Sequence, residues 1–299
     1  MRKLRNKVLV VCNDAGGAEI VSAYVRVHEK IYAFSCFATG PAAAIFKRKK
    51  LGRLLITSAK ARRMLPSADA LLTGTGWSSD VERTFIRAAK ESGTRTAAYL
   101  DHYVHYRERF GYPTRGWEEN LPDELWVGDR HALSLARKSF SGLPVRLVPN
   151  LYWRDARERY QKLRKRFRAK PDAVLFMSEP GRGVFDEQAL LESVLKAAAS
   201  SGRRQSVIIA HHPSESRQKY AGLMKRYKTS VDFRSEHDDR LYDFLRAKVV
   251  IGMQSMGLVM ALLCGKETVS LLPRGMSCSL PQQDIIRIHD AAGLKKLIC

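Results

Sequence analysis

Short apolar runs alternate with amphipathic stretches along almost the whole chain, and this alternation constrains the fold more than any other feature. Residues 7–13 (KVLVVCN) read as a strand, with a helix expected from about Ala18 to Glu29. Residues 32–38, 70–76, 94–102, 124–129 and 144–150 read as further strands. Behind residues 70–76, Ser79 and Glu82 have the spacing of a capping box, and Gly93 is the expected stop of the helix they open. Residues 152–170 form a long, very basic stretch of helix-forming composition, closed by Pro171. The alternation then resumes, with strands at 172–180, 206–213, 249–255 and 267–273 and helices between them, including one over 214–227. Consecutive strands joined by helices belong to a parallel sheet, because a parallel partner is reached only through a crossover. The expected class is therefore α/β, with two tandem Rossmann-like domains: residues 1–150, a basic linker helix at 151–171, and residues 172–299.

Charge narrows the partners. Lys and Arg number 52 against 30 Asp and Glu, a net charge of +22. Residues 1–150 carry 25 basic and 14 acidic side chains and the remainder 27 and 16, so each half is +11 and the excess is no detachable tail. Such a surface favours polyanions: a phosphorylated substrate, an anionic membrane face or nucleic acid. No helix-turn-helix, RNP-type or zinc pattern is visible, which argues against nucleic acid. The apolar run after the basic N-terminus ends at Asn13-Asp14, too short for a signal-peptide core. The five cysteines (Cys12, Cys36, Cys264, Cys278, Cys299) show no metal or disulfide spacing. The expected location is cytoplasmic, with peripheral contact by charge at the inner face of a membrane.

The stretch GMQSMGLVMALLCGKETVSLLP (252–273) runs from a strand end through Ser255-Met256-Gly257 into an apolar helix that stops at Gly265. Free amides at that helix start, with the Ser255 hydroxyl, suit an anion; Ser255 as a plain N-cap of a buried crossover suits the sequence as well. IIAHHPSESRQ (208–218) places His211 and His212 at a strand end, where they face a ligand or simply precede a helix-entry proline. In MSEPGRG (177–183), Gly181 and Arg182 belong to a loop fit to embrace a diphosphate or to an ordinary connection.

Together these elements resemble the C-terminal half of GT-B fold glycosyltransferases. Gly252, Ser255, Ala261, Gly265, Lys266 and Ser270 match the family's G-x-x-S-x-x-x-x-E-A-x-x-x-G-K-P-x-x-S pattern, and His212-Pro213 matches its H-P element. Two positions depart: Met260 stands where the family has a Glu that binds the donor ribose, and Glu267 replaces a proline. The resemblance implies metal-independent transfer from a nucleotide-sugar donor, with no cofactor. It implies donor or phosphate contacts from Gly181, Arg182, His211, His212, Gly252, Ser255, Met256 and Gly257, and an anionic or lipid-linked glycan as acceptor. Sugar epimerases and hydrolases of the same architecture are the runner-up, followed by a nucleic-acid binder.

On the N-terminal half, Asn13, Asp14, Gly16 and Gly17 follow the first strand and Gly76 and Ser78 follow the third. LDHYVHYRERFGYPTRGW (100–117) is too long and too polar-aromatic for a routine connection. Asp14, Asp101 and His102 are the candidate general bases. Asn13, Gly16, Gly17, Gly76, Ser78, Arg107 and Arg109 are the candidate acceptor-side groups. His102 and His105 lack a third ligand partner, so no metal is expected.

Overall fold

The computed structural model describes residues 5–76, 79–168, 170–181, 183–212 and 214–298. The candidates Ser78 and Arg182, and Pro213 of the H-P element, lie outside the described residues. Contacts divide the chain into two compact units, the first ending at Tyr152 and the second beginning at Trp153.

Unit 1 is a six-stranded sheet built from β1 (Lys7–Cys12), β2 (Ala33–Ala38), β3 (Ala70–Thr73), β4 (Arg95–Leu100), β5 (Glu124–Val127) and β6 (Val145–Leu147). Its order is β2-β1-β3-β4-β5-β6 and every pairing is parallel. Helices α1 (Ala15–His28), α2 (Gly40–Arg48), α3 (Ser58–Met64), α4 (Val81–Glu91) and α5 (Arg130–Ser139) make the crossovers. Val10, Val21, Val25, Phe46, Leu72 and Tyr99 form part of one core cluster.

Helix α6 (Leu151–Arg166) leads into unit 2. Its six-stranded sheet comprises β7 (Ala173–Met177), β8 (Gln205–Ala210), β9 (Val231–Arg234), β10 (Ala247–Gly252), β11 (Glu267–Leu271) and β12 (Ile286–Ile288). The order is β12-β11-β10-β7-β8-β9, again parallel throughout. Read from its other edge this is the 3-2-1-4-5-6 order of the Rossmann fold, and β7 and β8 are apolar on both faces, as strands covered by helices must be. Helices α7 (Glu187–Ala199), α8 (Ala221–Tyr227), α9 (Arg240–Arg246), α10 (Met256–Leu263) and α11 (Ala291–Ile298) complete the unit.

Three local expectations are corrected. Helix α1 begins at Ala15 rather than Ala18, with Asp14 as its N-cap, so Gly16 and Gly17 lie in the first helical turn and not in a loop. Ser79 does not cap α4, which starts at Val81; the Glu82 carboxylate instead accepts the Asn13 amide at 2.6 Å. The helix over 214–227 shortens to α8, because the His212 ring accepts the Ser214 amide and the Ser216 hydroxyl accepts the Gln218 amide, local side-chain bonds that compete with helix.

Candidate functional site

In an open parallel sheet, ligands bind beyond the carboxyl ends of the strands, where successive connections turn to opposite sides. The sheet orders put that point between β1 and β3 in unit 1 and between β7 and β10 in unit 2. The candidate residues of each unit gather at that edge.

In unit 1 the strand ends are packed tightly against one another. The Asp14 Oδ1 accepts the Ala15 amide at 2.7 Å. The Glu82 carboxylate is buried and takes the amides of Asn13 and Asp14; burial first, and then the nearby Asp14, raise its pKa. Asn13 is further held through its carbonyl, which accepts from Ala42 N at 3.2 Å. After β4, Asp101 Oδ1 accepts from Arg109 Nη1 at 2.5 Å, with both side chains about nine-tenths buried (10% and 8% exposed). Arg109 Nη1 also donates to Thr75 O at 2.9 Å and Thr75 Oγ1 at 3.1 Å, tying the β4 loop to the β3 loop.

This packing explains the glycines. A Cβ on Gly16 would lie 1.8 Å from Asp101 Oδ2, one on Gly17 would lie 3.0 Å from Gly74 Cα, and one on Gly76 would lie 2.8 Å from the Asp14 Cβ. The space these residues leave is filled by the protein's own groups. Gly16, Gly17 and Gly76, read from the sequence as acceptor-side groups, therefore serve packing at this edge. Arg109 is likewise a buried tie and not an outward acceptor contact. Arg107 does remain exposed, donating to Ser139 O at 2.9 Å. The aromatics of 103–110 are core: Tyr103, Tyr106 and Phe110 are buried.

The three candidate bases therefore separate. Asp101 has one oxygen on Arg109 and the other pressed against Gly16. His102 Nδ1 accepts the Tyr103 amide at 2.9 Å, and burial, then the charges of Arg109 and His105, push the imidazole down to about 4. It is too weak a base to hold a proton near neutrality. Asp14, half-buried at the start of α1, is the candidate that keeps its place at the switch point.

The state of His102 carries a stability prediction. Its ordinary pKa is about 6.5, so the folded state disfavours its protonation. The resulting stability is complete above about pH 6.5 and is lost as pH falls toward 4. The loss at the acid limit is on the order of 3 kcal/mol. His102→Asn keeps an acceptor for the Tyr103 amide and is expected to show a flatter loss between pH 6.5 and 4 in urea unfolding. Equal slopes for variant and wild type would refute the assignment.

In unit 2, α10 opens at the β7/β10 switch point with Ser255 as N-cap, but the Ser255 hydroxyl makes no cap bond. The Glu179 carboxylate, at the end of β7, takes that place: its Oε2 accepts the Gln254 amide at 2.9 Å, and the Ser255 amide donates to it as well. Burial is the main cause that raises the Glu179 pKa, with Glu187 and Glu215 adding to it and the two amides opposing. Glu179 was legible only as part of the MSEPGRG loop; its contact with a helix 75 residues later was not. Gly252 and Gly257 again serve packing, since a Cβ on Gly257 would lie 2.3 Å from Met177 Cε. Met256 is half-buried in the first turn of α10 and Met260 is buried one turn on. The Gly181 amide donates to Glu187 Oε2, and a Cβ there would lie 2.2 Å from Phe185 O.

One strand over, His211 Nδ1 lies 2.9 Å from Glu236 Oε1, while its buried Nε2 has no hydrogen-bond partner among the described residues. Because the carboxylate accepts, the Nδ1 carries the proton and Nε2 presents a lone pair in the neutral ring. The His212 amide donates to Glu215 Oε2 at 3.1 Å, and Glu215 also accepts from Ser178 Oγ at 2.5 Å and Lys219 Nζ at 2.6 Å. His211, His212, Glu215, Arg217, Glu236 and Arg240 help line a pocket of about 230 Å³. Among the described residues no group of three or more His, Cys, Asp or Glu could hold a metal ion, and no helix is long and apolar enough to cross a membrane.

No protein-family model and no curated protein matches the chain. Solved structures do. The UDP-GlcNAc 2-epimerase of Methanocaldococcus jannaschii, in complex with UDP-GlcNAc and UDP, superposes with a TM-score of 0.66 at 12% identity, over 98% of this chain and 91% of that one. HepE of Anabaena in complex with UDP-glucose gives 0.63 at 12% identity (98% and 88% covered). MurG of Acinetobacter baumannii gives 0.58 at 12% identity (98% and 89% covered). The fold is thus GT-B-like, α/β with two Rossmann-like units, as the C-terminal motif implies.

Proposed function

We propose that the chain is a nucleotide-sugar enzyme, and specifically a glycosyltransferase acting on a surface-polysaccharide or lipid-linked acceptor. The observation that carries the reading is the α10 start at the unit 2 switch point, where two backbone amides already hold an anion, the Glu179 carboxylate. A place that binds a carboxylate suits a phosphate by the same chemistry. In this reading the donor diphosphate takes over those amides, Glu179 turns aside, and His211 and His212 contact the phosphates or sugar. The bond from the anomeric carbon to the diphosphate oxygen breaks, and its electron pair leaves with the diphosphate. A bond to the acceptor oxygen forms, and the acceptor proton passes to Asp14. Preorganised amides opposite the leaving charge supply the electrostatic stabilisation that usually dominates.

A thermal-shift panel of nucleotides and nucleotide sugars tests the reading, beginning with UDP, UDP-glucose and UDP-GlcNAc, the ligands of the structural neighbours. Stabilisation by one nucleoside diphosphate family is expected. At a ligand concentration 100 times Kd the gain is about 2.7 kcal/mol. His212→Ala is expected to weaken that binding. Silence across the panel, together with tight salt-dependent binding to DNA or RNA, would overturn the reading.

One observation favours epimerisation as a second reading. Glu179 is a buried carboxyl with a raised pKa at the proposed sugar-diphosphate position, the property a proton-transfer residue needs. Solvent deuterium entering the carbon skeleton of UDP-GlcNAc in the absence of any acceptor would decide for the epimerase.

A further inference from the structure

The positive charge is not evenly worn. Residues 154–170 hold nine Lys and Arg against two acidic side chains, a net +7 of the chain's +22 in 17 residues. All nine are exposed. Helix α6 turns its apolar residues Ala156 and Tyr160 inward, so the body of the protein consumes its apolar stripe. At 100° per residue, Arg154, Lys162 and Lys165 project from the opposite side, with Arg157 on its flank and Arg168 following just past the helix.

Little inside the protein answers this charge. Arg159 pairs with Asp239, and Arg154 lies 3.9 Å from Glu158. Arg157, Lys162, Arg164, Lys165, Arg166 and Arg168 have no ion pair among the described residues. The crowding reaches a neighbour: Lys266 has its pKa lowered by burial and then by Arg164. Where the row ends, Phe167 is 40% exposed with the Arg166 guanidinium over its ring.

We propose that the outward face of α6 and its continuation to Arg168 is a docking surface for an anionic lipid bilayer. From Arg154 to Lys165 these cations span about 17 Å of the helix axis. That geometry fits a flat field of headgroup charge. It lacks free aromatic platforms of the kind that hold single-stranded nucleic acid, since Tyr160 is buried and Phe167 packs against the Tyr242 ring. Attraction of this kind falls off within a Debye length, so the contact is peripheral and salt-sensitive. Each basic residue near such a surface multiplies partitioning about fivefold at physiological salt. The inference does not rest on the proposed activity.

Co-sedimentation of the full chain with vesicles tests it. Wild type is expected to bind phosphatidylcholine vesicles containing 30% phosphatidylglycerol, to ignore pure phosphatidylcholine, and to release at 0.5 M salt. The triple variant Lys162→Glu, Lys165→Glu, Arg168→Glu is expected to lose more than about 100-fold in partitioning. A control carrying the same charge change elsewhere (Arg95→Glu, Arg137→Glu, Lys138→Glu) is expected to keep most of it. Circular dichroism and thermal melting establish that both variants fold. Equal losses in the two variants would overturn the assignment to α6. Equal binding to neutral vesicles, or no vesicle binding beside RNA binding that the α6 variant abolishes, would overturn the bilayer as partner.

Discussion

Asp101→Ala is expected to cost about 3–5 kcal/mol of unfolding free energy, because it strands the Arg109 guanidinium in the interior. Arg109 Nη1 is shared between that carboxylate and the Thr75 carbonyl and hydroxyl, and its Nε already lacks a hydrogen-bond partner among the described residues. Urea unfolding with an unchanged m-value measures the loss. A second substitution sharpens the test. Gly16→Ala alone drives a methyl group into Asp101 Oδ2, so the carboxylate must rotate off Arg109 and a similar loss follows. With Asp101 already alanine, the obstacle is gone and the better helix propensity of alanine over glycine, about 0.5–1 kcal/mol, acts alone. Gly16→Ala is therefore expected to change sign, from destabilising in the wild type to neutral or stabilising in Asp101→Ala. Additive losses in the double variant would show that the two residues do not share the site as described.

Asp14→Asn is expected to lower turnover by about 10²- to 10⁴-fold, the usual contribution of a general base, while leaving donor binding and stability unchanged. Asparagine matches aspartate in shape and in N-cap quality, so its Oδ1 still accepts the Ala15 amide and α1 still starts in the same place. What it lacks is the capacity to take a proton from an acceptor hydroxyl. Donor titration by thermal shift, beside initial-rate measurements, separates the two effects. Full activity in Asp14→Asn would remove Asp14 from the mechanism, and weakened donor binding would move it to the donor side.

The strands were readable because covered parallel strands are apolar on both faces and announce themselves as runs, as KVLVVC and SVIIA do. Helix α2 was not: it begins Gly-Pro, which reads as a turn, although proline in the first turn of a helix has the right φ already built in. The candidate sites were legible as strand-end positions but not as chemistry. Glu82 reaches Asn13 across 69 residues, and Glu179 reaches Gln254 across 75. Local spacing gave Glu82 a capping role toward Ser79, while its carboxylate serves the first strand of the sheet. Gly16 and Gly17 read as acceptor-side positions because the neighbours that close on them, Asp101 and Gly74, are brought up by other strands.

The strand order of unit 2 also sets a timetable for its making. Strand β7 (Ala173–Met177) is the first of its sheet to leave the ribosome, and β8 (Gln205–Ala210) covers one edge soon afterwards. Its other edge waits for β10 (Ala247–Gly252). At ordinary rates of synthesis that is a delay of several seconds, during which an apolar strand edge is open to pairing with other chains. Unit 1 waits nearly as long, 61 residues from the end of β1 at Cys12 to the end of β3 at Thr73 against 75 from Met177 to Gly252, but its wait is over well before the chain reaches Tyr152. Chains cut short before residue 247 are therefore the ones expected to aggregate, whereas a chain ending at Tyr152 carries a finished sheet.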